Sequence, residues 1–272
     1  MTDVSYVVLL HEKSPEACSY ARLIHPCSTT FLKLDISPFL KPVYKGKEHL
    51  TCPAFSFLIE HESGKKVLFD LGVRKDWENL NPGTAGHIKE LKWTVQVEKD
   101  VAEILKENSV DVDGGVIDAV IWSHHHWDHN GNMQTFPGST ELVVGPGFKE
   151  AFMPGYPLEK DAPVLASDFE GRNVREIDVA KEGKGVKMGR FNAYDYFGDG
   201  SFYLLDTPGH SIGEWLREGD AGRGESESFT VRVLTLQFLR PYVWFCQNGS
   251  IAAFFCLHGW RCVPSWRRIQ AF

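Results

Sequence analysis

The densest chemistry in the chain lies in nine residues, Ser123-His124-His125-His126-Trp127-Asp128-His129-Asn130-Gly131. Four of the eleven histidines fall within six positions there, with an aspartate among them. The segment follows directly on residues 116–122 (VIDAVIW), an apolar run suited to a buried strand. Side chains alternate along an extended chain, so His124 and His126 are expected on one side and His125 on the other. Two imidazoles so placed can reach one metal ion, at ~2.0–2.1 Å if it is zinc. Asp128 and His129 then fall in the turn after the strand, where they can complete a second metal position or hold the attacking water. Metal-assisted hydrolysis needs neutral imidazole ligands and a carboxylate to orient or deprotonate the water. This segment supplies both. A surface histidine tract is the competing explanation, but four histidines and an aspartate concentrated at a strand end favour a metal site.

The elements around the segment read as sheets covered by helices. Residues 55–60 and 66–71 flank Glu62-Ser63-Gly64-Lys65, a hairpin with glycine in the turn. Residues 99–108 (KDVAEILKEN) place Val101, Ile104 and Leu105 at helical spacing. Residues 141–144 form a further strand, and 191–206 a second hairpin turning on Gly198-Asp199-Gly200. The amino-terminal MTDVSYVVLLHEK reads as a first strand, with neither the length nor the cleavage site of a leader peptide.

Bulk composition narrows the classes. The chain has 272 residues, is 43% hydrophobic and 24% charged, and carries a formal charge of −7, so it can build a sizeable core and does not resemble a nucleic-acid binder. No stretch approaches the ~20 apolar residues of a membrane span. Six cysteines at 18, 27, 52, 246, 256 and 262 include no CxxC pair and read as free thiols in a reducing compartment. A cytoplasmic protein acting on a small molecule, without nucleic-acid or membrane partners, is expected. Oligomeric state is not legible.

His124-His125-His126-Trp127-Asp128-His129 resembles the HxHxDH motif of the metallo-β-lactamase superfamily. Leu68-Phe69-Asp70-Leu71-Gly72 resembles that family's strand-end Asp-Gly segment, and Thr207-Pro208-Gly209-His210-Ser211-Ile212-Gly213 its TPGHTPG segment. The resemblance spans roughly residues 4–213, and phrases such as WSHHHWDH and YFGDGSFYLLDTPGH are similar to lactonase-like members common in fungi. It implies an α/β (α+β) fold, the αβ/βα sandwich, with the metal site at one edge between two sheets. It further implies that His124, His126 and His210 bind a first metal, that Asp128 and His129 bind a second, and that Asp128 also positions the attacking water as the catalytic carboxylate. Asp70 would brace the ligand loop. The implied cofactor is Zn2+, one or two per chain, and the implied reaction is cleavage of a lactone, ester or thioester by a metal-activated water. No Gly-x-Ser-x-Gly elbow offers a covalent nucleophile instead.

A complete family member carries two more ligands beyond the PGH segment, an aspartate in a Gly-Asp context and a final histidine. The only later aspartate here is Asp220, in a polar glycine-rich loop, and the only later histidine is His258. From Ser228 to Phe272 there is no Asp, Glu or Lys, yet five Arg, three Cys and three Trp. The expected division is therefore a metallo-β-lactamase-like domain over 1–214 and a divergent tail over 215–272, as a retained intron, frameshift or altered splice would produce. The sandwich's second half is then incomplete or remodelled, with β-prone stretches at 230–238 and 242–246. One metal on three histidines remains feasible, since catalytic zinc often has three protein ligands plus water. Two alternatives stand beside the hydrolase: a mononuclear iron oxygenase on the same fold, and a catalytically inactive truncated member.

Overall fold

A computed structural model describes residues 8–10, 19–24, 30–38, 41–178, 182, 185–188, 191–206, 235–236, 240–247 and 250–255. In chain order the first strands are β1 (Val8–Leu10), β2 (Ser19–Ile24), β3 (Thr30–Asp35), β4 (His49–Cys52), β5 (Ser56–Glu60) and β6 (Lys66–Phe69). Helix α1 (Pro82–Glu90), β7 (Thr94–Val97) and α2 (Val101–Glu107) lead into β8 (Ala119–Ile121), β9 (Glu141–Val144), α3 (Phe148–Phe152) and β10 (Val174–Glu176). There follow β11 (Gly185–Met188), β12 (Phe191–Asp195), β13 (Tyr203–Asp206), β14 (Thr235–Leu236), β15 (Arg240–Gln247) and β16 (Ser250–Phe255).

Seven strands form the central sheet in the order β1-β2-β5-β6-β8-β9-β10. The first four pair antiparallel, whereas β6, β8, β9 and β10 run parallel. Parallel strands covered on both faces carry apolar residues at every position, and Ala119, Val120 and Ile121 are each at most 2% exposed. Alternation then divides the core. Leu68, Val120, Leu142 and Val144 pack with Val101, Ala102 and Leu105 of α2 and Phe148 and Phe152 of α3. Val67, Phe69, Ala119, Ile121 and Val143 pack on the other side with Tyr194, Phe202 and Leu204. Each large side chain so buried contributes roughly 1.5–3 kcal/mol. The result is the mixed α/β layering expected from the sequence.

Smaller sheets flank this one, in the orders β4-β3-β7, β11-β12-β13 and β14-β15-β16. Both expected hairpins form. The strand expected over 116–122 is confined to Ala119–Ile121, with Asp118 N–H donating to the Lys66 carbonyl at 2.9 Å and Trp122 N–H to the Val143 carbonyl at 3.0 Å on either side of it. Helix α2 starts two residues later than the expected 99–108 span, behind Asp100, whose N–H donates to Glu103 Oε2 at 2.8 Å. Among the described residues no helix is long and apolar enough to cross a membrane.

Candidate metal centre

The site is built where β6 and β8 end side by side. Asp70 leaves β6 in the left-handed region (φ 57°), and its N–H donates to the Ile121 carbonyl at 2.9 Å. The next residues zip onto the motif: Leu71 N–H to the His129 carbonyl at 2.8 Å, and Gly131 N–H to the Gly72 carbonyl at 3.0 Å. Gly131 also has positive φ (51°), and a Cβ there would lie 2.8 Å from the Leu71 carbonyl oxygen and 2.3 Å from its Cβ. Only glycine lets the two segments approach this closely. Between them the chain turns tightly, with His129 N–H and Asn130 N–H both donating to the His126 carbonyl at 3.0 and 3.1 Å.

That turn gathers four of the expected ligands. His124 Nε2 lies 3.0 Å from His126 Nδ1, and the His124 and His129 ring centroids are 4.1 Å apart. His129 Nε2 lies 3.6 Å from Asp128 Oδ2. The His125 ring stacks on Phe152 at 4.2 Å and meets the His126 ring edge-on at 4.6 Å. Asp70 sits behind, buried, taking the Ser123 N–H at 2.7 Å, the Ser123 hydroxyl at 2.8 Å and His129 Nδ1 at 2.7 Å. His210 lies outside the described residues, as do Asp220 and His258.

The donor set suits a divalent metal. Tetrahedral zinc would hold two nitrogens about 3.3 Å apart, so His124 and His126 need part by only a few tenths of an ångström. Electrostatics agree. Burial drives the His129 pKa down, but the charges of Asp128 and Asp70 and the Asp70 hydrogen bond outweigh it, and the value is raised to about 9. Carboxylates that favour a cation on His129 also favour a metal beside it. A second group of possible ligands, His61, Glu62 and Asp199, lies at the opposite end of the β5–β6 hairpin. There His61 bonds Ser63 Oγ at 2.7 Å and Asp199 Oδ2 at 2.8 Å, which ties two turns together.

Three neighbours carry roles that sequence reasoning did not assign. Ser123 bonds to Asp70 and His124; its place directly before the first histidine was the available signal. Trp127 stacks on Trp93 with centroids 6.2 Å apart and, like Cys52, packs against the cluster of Leu32, Ala54 and Val73. Cys52 is a free, half-buried thiol. Burial, with the Asp128 charge second, pushes its pKa up to about 12, so it stays neutral and is no activated nucleophile.

This fold and this ligand turn define a metallo-β-lactamase-type scaffold. Residues 50–223 match the metallo-beta-lactamase superfamily, and the chain belongs to that superfamily. It is 45% identical over 205 residues to gamma-lactamase FDB1 of Fusarium pseudograminearum, covering 73% of this chain and 49% of that protein. It is 46% identical over 186 residues to metallo-hydrolase mfmC of Annulohypoxylon moriforme, covering 68% and 48%. The chain thus spans about half the length of these curated relatives. Among solved structures, a Bacillus thuringiensis AiiA variant with N-decanoyl-L-homoserine bound shares the fold at TM-score 0.51 and 19% identity, covering 86% of this chain and 73% of that one.

Proposed function

We propose that the chain is a metal-dependent hydrolase that opens a lactone, lactam, ester or thioester with zinc, one or two ions per chain. The observation that carries this reading is one turn that pairs His124 Nε2 with His126 Nδ1 at 3.0 Å and His129 Nε2 with Asp128 Oδ2 at 3.6 Å, the two pairs joined by the His124 and His129 rings 4.1 Å apart. Zinc in such a set supplies Lewis acidity, lowering a water pKa from ~15.7 to near ~7 and polarising an acyl oxygen. Asp128 would bind the second metal and position the attacking water, and Asp70 would keep the His129 ring aimed at that metal. His210 completes the first position in this reading. The names of the relatives, a gamma-lactamase and a metallo-hydrolase, support the reaction class and the small-molecule substrate. The cysteine usage supports a cytoplasmic setting.

Elemental mass spectrometry of the purified chain beside His124→Ala, with turnover of γ-lactone and γ-lactam substrates, tests it. Two zinc ions per chain, lost in the variant, mean that residues beyond Gly213 contribute ligands. One zinc supports the mononuclear site on His124, His126 and His210. Iron in place of zinc would point to oxygenase chemistry, and a chain without metal or turnover would sink the proposal.

A further inference from the structure

Ser123 is 6% exposed, and its Oγ lies among three polar atoms: Asp70 Oδ2 at 2.8 Å, His124 Nδ1 at 2.9 Å and His129 Nδ1 at 3.4 Å. A hydroxyl has one proton to give and two lone pairs, whereas a carboxylate only accepts. The proton therefore goes to Asp70 Oδ2. His129 Nδ1 is already engaged by Asp70 at 2.7 Å, and 3.4 Å is too long to compete. His124 Nδ1 can then meet Ser123 Oγ only as a donor. The His124 proton is fixed on Nδ1, and its Nε2 lone pair faces His126 Nδ1.

We propose that Ser123 is a positioning residue: its hydroxyl relays the Asp70 carboxylate to His124 and selects the tautomer that presents Nε2 to the metal. One buried carboxylate thereby orients a ligand in each of two metal positions, His129 directly and His124 through Ser123. The inference rests on the metal-centre reading above. Ser123→Ala removes the relay while keeping the Ser123 N–H bond to Asp70 Oδ1, and Ser123→Thr restores the hydroxyl.

Zinc affinity of the full chain, measured by chelator competition, and long-range 1H–15N correlation of the histidine rings test it. Ser123→Ala is expected to weaken zinc binding by about 10–100-fold with the fold retained, and Ser123→Thr to recover most of the loss. The wild-type spectrum is expected to show His124 protonated at Nδ1. Wild-type affinity in Ser123→Ala overturns the relay, as does a loss that threonine leaves uncorrected. A bare His124 Nδ1 in the wild type overturns it even where the alanine variant does not fold. Failure of the metal-centre reading is a separate result: a wild type that takes up no zinc.

Discussion

Replacing Asp70 by asparagine isolates what its carboxylate does for the metal centre. Asparagine tolerates the left-handed backbone that Asp70 adopts at φ 57°, so the variant keeps the turn. Its carbonyl can still accept the Ser123 N–H, but its amide then faces the Ser123 hydroxyl and His129 Nδ1, both donors to Asp70 in the wild type. His129 loses the bond that holds Nε2 toward Asp128. A hydrogen bond to a charged group contributes roughly 1.5–3 kcal/mol, which is about 10- to 100-fold in zinc affinity.

A second effect opposes the first. In the metal-free wild type the His129 pKa is about 9, and a proton must leave Nε2 before metal can enter. At pH 7 that proton costs at most about 3 kcal/mol, two pH units at 1.36 kcal/mol each. Asp70→Asn removes two of the causes that raise the value, so its His129 releases the proton more readily. The two effects offset near neutrality, and the orientation loss stands alone at pH 9.5. Zinc affinity in chelator-buffered solution should therefore fall in Asp70→Asn by a larger factor at pH 9.5 than at pH 7. Equal affinity at pH 9.5, or a deficit that shrinks with pH, refutes the reasoning. The linkage has a companion: with a folded pKa of about 9 above the unfolded 6.5, His129 stabilises the metal-free fold below pH 6.5 and that stability is lost as pH rises to about 9. Urea midpoints of the metal-free wild type should fall across that window, and those of Asp70→Asn less so.

Other perturbations separate the parts. Gly131→Ala meets left-handed strain of roughly 1–2 kcal/mol and crowding against Leu71 of roughly 1–3, so urea unfolding should show a loss of about 2–5 kcal/mol. His125→Leu should keep the zinc content of the wild type while His126→Ala loses it, because leucine can keep the packing of the His125 ring on Phe152. Burial, against the pull of Arg74, pushes the Asp168 carboxyl up to about 7. The folded chain thus binds that proton more tightly than the unfolded one, and stability falls as pH rises from about 4 to about 7. Asp168→Asn should flatten that slope, read from urea midpoints at pH 5 and 8.

The parts of the fold legible in sequence are those where local pattern and burial agree. The β5–β6 hairpin announces itself by a glycine turn between apolar runs, and α2 by Val101, Ile104 and Leu105 at helical spacing. The histidine-rich turn was visible as a cluster because four histidines and an aspartate fall within six positions. Helix α1 was not, since its sequence PGTAGHIKE has two glycines and a proline. It forms through proline at the first turn, the Asn81 side chain accepting the Thr84 N–H at 2.9 Å, and burial of Ala85 and Ile88. The β4-β3-β7 sheet was also missed, because β4 and β7 alternate only between exposed and half-buried positions. Ser123 was visible as a residue but not as a contact, since its partner Asp70 lies 53 positions earlier.

That separation shows what the core contributes to the chemistry. Asp70 reaches Ser123 because β6 and β8 are parallel neighbours with Phe69 opposite Ile121. A slip of one residue would carry Asp70 about 3.3 Å along the strand, beyond hydrogen-bond reach of Ser123, and turn each apolar side chain to the other face. Both faces are packed, with Val120 against the helices and Ile121 against the β12–β13 layer, so either direction of slip buries the wrong set. The register is thus fixed by the apolar residues of both core layers. The nine-residue motif supplies donor atoms, but their tautomers and aim come from a carboxylate delivered by the neighbouring strand.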